Sequence, residues 1–85
     1  MAAPRRVIEV AFTEQELVDL ERVSRSRTEA ASYVQRACIL LTYRRTPSLY
    51  ATGRAIGVTH QTVERCLRRA RELGVGAALD DSPRP

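Results

Sequence analysis

Two helical patterns, residues 49–56 and 60–73, are separated by only three residues, Gly57, Val58 and Thr59. So short a connection forces the second helix to cross close to the end of the first. Gly57 can take the left-handed conformation that reverses a chain sharply. Thr59 is a good N-cap for the helix that follows. Gly53 stands one helical turn before Gly57. Glycine inside a helix costs about 1 kcal/mol relative to alanine, so its presence predicts a tight crossing there. Ile56, Val58, Val63 and Cys66 are apolar where two crossing helices pack. A short helix, a tight turn and a longer helix make a helix-turn-helix, predicted over residues 48–73.

The rest of the chain also reads as helix. Residues 14–24 form one pattern, with Thr13 and Glu16 as a capping box and Leu17, Leu20 and Val23 as an apolar stripe. Phe12, just before the cap, is placed to staple onto Leu17. Residues 27–45 form a second pattern, opened by a Ser26/Glu29 capping box and ended by Pro47. Its stripe is Ala30, Val34, Ala37, Cys38 and Leu41, and Ile39, Leu40 and Tyr43 widen it around most of the helix. A helix this apolar is central to the core or shared with a partner, and the central place is favoured. Ser48 caps residues 49–56. Residues 60–73 bury Val63, Cys66, Leu67, Ala70 and Leu73, and Gly74 closes them. Residues 75–85 show no convincing period and read as an irregular tail or linker. Residues 1–12 read as an N-terminal arm, with a strand, a basic arm through Arg5 and Arg6, and a disordered end all left open. The expected fold is all-α: a helix-turn-helix bundle of about four helices within residues 13–74.

Eighty-five residues make at most one small domain, marginally stable alone. With no Trp, the core must be built from Leu, Val, Ile and Ala. No apolar run approaches the roughly 18 residues that span a membrane. The N-terminus lacks the apolar segment of a secretory signal. A cytoplasmic protein is expected. Cys38 and Cys66 lie in apolar helical patterns and read as small buried hydrophobes. One His and no C-x-x-C pair argue against zinc, and His60 has no nucleophile or carboxylate partner nearby for catalysis. No cofactor, metal, small-molecule ligand or membrane partner is expected.

Charge is distributed unevenly. Residues 44–71 hold seven Arg and one Glu, a net +6. Residues 1–43 balance six Arg with six acids, and residues 72–85 carry a net −2. A one-sided basic patch is the footprint of a polyanion binder. With 63, 66, 67 and 70 buried, His60, Gln61, Glu64, Arg65, Arg68 and Arg69 face away from the seam or flank it. In a helix-turn-helix the start of the second helix enters the DNA major groove. Arg65 suits a bidentate contact to guanine and Gln61 one to adenine. His60 and Thr62 can donate or accept in the first turn. Glu64 can accept from cytosine or hold a neighbouring Arg. Arg68 and Arg69 are assigned to phosphates, and Arg44, Arg45, Arg54 and Thr59 to the DNA backbone beside the groove.

The stretches FTEQE, QRACILL, IGVTHQTVER and GVGAALDDSPRP follow one another in the order of a known pattern. From about residue 12 onward the chain resembles the N-terminal DNA-binding region of bacterial insertion-sequence transposases of the Tc/mariner superfamily. That resemblance implies a homeodomain-like or paired-like fold that binds the element's terminal inverted repeats, in the bacterial cytoplasm at the nucleoid. It implies that His60, Gln61, Thr62 and Arg65 read bases or phosphates, and that Arg84 enters the minor groove, where a narrow A·T tract attracts arginine. A transposase of this kind cuts and joins DNA with three carboxylates that hold two metal ions. Those carboxylates are not among these residues, since Asp80 and Asp81 are adjacent in the tail and cannot replace them. The chain is therefore expected to be an excised domain or a truncated product, and not itself an enzyme. Thr52 and Gly53 depart from the family's apolar residue and Ala, which predicts a weaker or shorter first helix of the motif. Two other readings stay open: a free-standing transcriptional regulator, and a protein–protein module built on residues 30–43. A homodimer also stays open.

Overall fold

The computed structural model describes residues 8–79. Among them are five helices and no strand: α1 (Glu14–Ser24), α2 (Ala31–Arg45), α3 (Leu49–Ile56), α4 (His60–Leu73) and α5 (Val75–Leu79). The fold is an all-α bundle. Central α2 packs against α1, α3, α4 and α5. No helix among the described residues is long and apolar enough to cross a membrane.

The capping box of α1 forms as its residues predict. Thr13 Oγ1 accepts from the Glu16 N–H at 3.1 Å, and Glu16 Oε1 accepts from the Thr13 N–H at 2.9 Å. Leu20 and Val23 are buried, and Phe12 and Leu17 are half-buried.

The second capping box does not form, and α2 starts at Ala31 instead of residue 27. Ser26 Oγ accepts from the N–H groups of Thr28 and Glu29 at 3.2 and 3.1 Å. The Ser26 N–H, however, donates to the Val23 carbonyl at the end of α1 (3.0 Å). The donor that Glu29 would have to satisfy is already taken. The hydroxyl therefore stabilises a bend between the helices, as Ser side chains do when they compete with helical pairing.

The inward face of α2 also differs from the expected stripe. Ala37, Ile39, Leu40 and Tyr43 are buried, whereas Val34, Cys38 and Leu41 are half-buried and Ala30 is exposed. On a helix apolar nearly all round, the neighbours choose the inner face, and α2 has neighbours on several sides.

Both ends of the described chain join the core. The Ile8 N–H donates to Tyr43 Oη at 2.9 Å inside the protein. Ile8 is buried, with Val10 and Phe12 packed against the core. At the other end, residues 75–79 are not irregular. Gly74, at φ 99°, turns the chain, and Val75, Ala78 and Leu79 of α5 are buried. Leu73, expected in the seam of α4, is 67% exposed, because it is the last residue before that turn. Arg5, Arg6, Asp80, Asp81 and Arg84 lie outside the described residues.

Candidate nucleic-acid interface

The helix-turn-helix is fixed by two glycines in different ways. Gly57 has φ 91° and ψ 32°, the left-handed region that an L side chain resists. The N–H groups of Gly57 and Val58 both donate to the Gly53 carbonyl, at 2.7 and 2.9 Å. Gly53 is needed for space. A Cβ there would lie 2.7 Å from the Val58 carbonyl oxygen and 3.3 Å from the Thr59 carbonyl carbon. The backbone of the turn thus lies directly on α3 at Gly53.

Gly53 and Thr52 do not shorten α3, which runs its full eight residues from a Ser48 cap that accepts from the Ala51 N–H at 3.1 Å. Thr52 is wholly buried, and its Oγ1 has no hydrogen-bond partner among the described residues.

α4 is capped by Thr59, whose Oγ1 accepts from the Thr62 N–H at 3.2 Å and lies 3.1 Å from Thr62 Oγ1. Its seam of Val63, Cys66, Leu67 and Ala70 is buried. This leaves Gln61, Arg65 and Arg68 exposed on the outer face, as the helical period requires.

The remaining predicted residues of α4 have protein partners. Glu64 holds Arg68 one turn on: Arg68 Nε donates to Glu64 Oε2 at 3.0 Å, with Nη2 at 2.9 Å. That is one of the two roles expected of Glu64. His60 is half-buried, and its ring stacks on Tyr50 of α3, with centroids 4.3 Å apart and planes at 28°. Thr62 is half-buried beside Thr59, and Arg69 is half-buried.

The other predicted arginines are dispersed. Arg54 is exposed on α3. Arg44 and Arg45, also exposed, line a hollow with Glu21, Ser24 and Arg25 at the end of α1. The neighbours of α4 in space are instead Gln35 and Arg36 of α2, which share a cleft with Thr62, Arg65 and Arg69.

Tyr50, Gln35 and Arg36 are the residues that sequence reasoning missed. Tyr50 carried a weak signal, an aromatic in the first turn of α3. Arg36 carried none, because it lies in the half of the chain whose charges balance.

Cys66 lies beneath this cleft. Burial pushes its thiol up to about 11, against the pull of the Arg36 and Arg69 guanidiniums, which favour the thiolate. A thiol so high stays protonated at neutral pH and is no nucleophile. Among the described residues, no three His, Cys, Asp or Glu side chains gather in a group able to hold a metal ion. No family model matches the chain, and no curated protein or solved structure is significantly similar to it.

Proposed function

We propose that the chain binds double-stranded DNA sequence-specifically by laying the start of α4 in the major groove. The observation that carries this reading is the outer face of α4. Gln61 and Arg65 are exposed one turn apart, on a helix whose opposite side is locked into the core and whose entry is fixed by main-chain packing at Gly53. These two side chains have the donor and acceptor geometry for adenine and guanine edges. Arg68, oriented by Glu64, and Arg54 supply phosphate contacts. His60 is a support for the turn through Tyr50 more than a base reader.

With the resemblance noted above, the favoured setting is the DNA-binding part of a transposase at its terminal inverted repeats, in a bacterial cytoplasm. In this reading these residues bind DNA and do not cut it. A single module of this size buries about 600–1,000 Å² on DNA, so tight binding calls for a second copy or further contacts. The apolar breadth of residues 30–43 no longer favours a protein-docking role, since much of it packs inside the bundle.

The test is selection from a random duplex library, followed by titration of the selected and scrambled duplexes. A single selected sequence, whose preference Arg65→Ala erases, upholds the reading. Equal binding to every duplex, collapsing with salt, reduces the surface to an electrostatic patch and ends the groove-insertion reading.

A further inference from the structure

The outer face of α1 carries an apolar side chain and an order of charges that its packing on α2 does not use. Val18 is 61% exposed, and among the described residues only Tyr50 and Leu73 are large apolar side chains placed likewise. It lines an open hollow with half-buried Leu17 and with Glu21, Arg22 and Arg25. A lone exposed valine is ordinary. The charges around this one are sorted by position. Glu14 stands one turn before it and Arg22 one turn after it, both exposed, and Arg25 follows at the C-cap. Side chains four apart share one side of a helix, so Glu14, Val18 and Arg22 form a single row. Glu21 and Arg25, beside that row, pair with each other at 3.3 Å.

We propose that this face docks a second copy of the chain, with the two α1 helices antiparallel across a two-fold axis at Val18. A row that is acidic at one end, apolar in the middle and basic at the other is complementary to its own reverse. In the antiparallel pair Val18 meets Val18, and Glu14 of each copy stands opposite Arg22 of the other. A parallel pair sets Glu14 on Glu14 and Arg22 on Arg22, and like charges so placed are penalised. Antiparallel helices also align their dipoles favourably. The contact uses the same patch on both copies and closes at two subunits. A different partner would have to supply this charge order, whereas a second copy carries it already.

α1 packs chiefly on α2, and no residue of this face belongs to α3 or α4. The contact itself therefore covers neither Gln61 nor Arg65. A helix of 11 residues is about 16 Å long, and its one face offers less than the roughly 800 Å² per partner of a standard interface. The expected dimer is accordingly weak.

Sedimentation equilibrium of the 85-residue chain without DNA tests the proposal. Concentrations reach about 1 mM, the weak end of specific association. The apparent mass is expected to rise from 9.5 kDa toward twice that value. Glu14→Arg and Arg22→Glu are each expected to lose the rise, because each sets like charges face to face. An equimolar mixture of the two variants is expected to regain it, since the reversals compensate across the axis. Val18→Asp is expected to lose it as well.

A wild-type chain that stays at 9.5 kDa throughout overturns the proposal and leaves the face to a different partner. A rise that survives both charge reversals overturns it too, as does a mixture that stays monomeric while thermal melts show both variants folded. Should a reversed helix fail to fold, Val18→Asp decides alone, and a rise that persists in it ends the proposal. Because no duplex is present, failure of the DNA-binding reading leaves these outcomes untouched.

Discussion

Arg65 and Thr52 show how differently two side chains of one helix-turn-helix can matter. Arg65 is exposed at the rim of the cleft between α2 and α4. Its replacement by alanine is expected to leave the thermal midpoint nearly unchanged. It should cost about 1–3 kcal/mol in binding the selected duplex and relax preference at one base pair. Competition titrations with single-base variants check this. Thr52 is wholly buried, and its hydroxyl has no partner among the described residues. A buried hydroxyl without a partner costs about 1–3 kcal/mol, and valine keeps the shape without it. Thr52→Val is therefore expected to raise the urea midpoint, a gain of about 1 kcal/mol, with the m-value unchanged. A lowered midpoint means that the hydroxyl is bonded after all.

At the scale of elements, three of the helices were legible from the sequence. α1, α3 and α4 have side-chain caps at Thr13, Ser48 and Thr59, and each cap hydrogen-bonds as its residue type predicts. α2 was legible as a helix but not in its start or its inner face. Ser26 serves the end of α1 and the bend at the same time, and a sequence does not say which neighbour claims an N–H. α5 was invisible because five residues are too few to show a period. The outer face of α4 was legible for the same reason its seam was, while the cleft with Arg36 exists only through the packing of α2 on α4. The two glycines of the turn make opposite demands. At Gly53 alanine gains about 1 kcal/mol of helix propensity. It also meets a backbone oxygen at 2.7 Å. Overpacking of that kind costs about 1–3 kcal/mol. Gly53→Ala is expected to be net destabilising and to weaken DNA binding. At Gly57 nothing lies within 4 Å of an added Cβ, and only the backbone angle is at issue. Gly57→Asn, with the non-glycine residue that best tolerates positive φ, is still strained at φ 91° and is expected to lose some stability, but less than Gly57→Ala. Paired chemical denaturation curves test the contrast.

For the molecule as a whole, the short α5 is part of the core and not an appendage. Leu79 is 5% exposed and Leu73 is 67% exposed. Leu79→Ala is expected to cost about 2–5 kcal/mol, and Leu73→Ala about 0.5 kcal/mol or less. Thermal or urea unfolding of the two variants ranks them. The buried thiol gives the molecule a particular alkaline limit. Cys66 holds its proton up to about 11 when folded, against 9.0 for the ordinary thiol. Between those values the unfolded chain has lost a proton that the native chain keeps, so stability falls as pH rises through this window. Below it the contribution is constant. The slope is at most about 1.4 kcal/mol per pH unit, and Cys66→Ala is expected to remove it in urea titrations at stepped pH.

The contact at Gly53 has a consequence for how this protein can vary. The angle at which α4 leaves α3 is set where one stretch of main chain rests on another, at a position with no side chain to change. Methylene groups can be traded among Leu20, Ile39, Leu40 and Leu67 without moving that fulcrum. Drift in the interior is thereby insulated from the aim of the outer face. Gln61 and Arg65 can in turn be exchanged for other readers without disturbing the interior. One glycine thus separates what sets the aim of α4 from what its outer face carries.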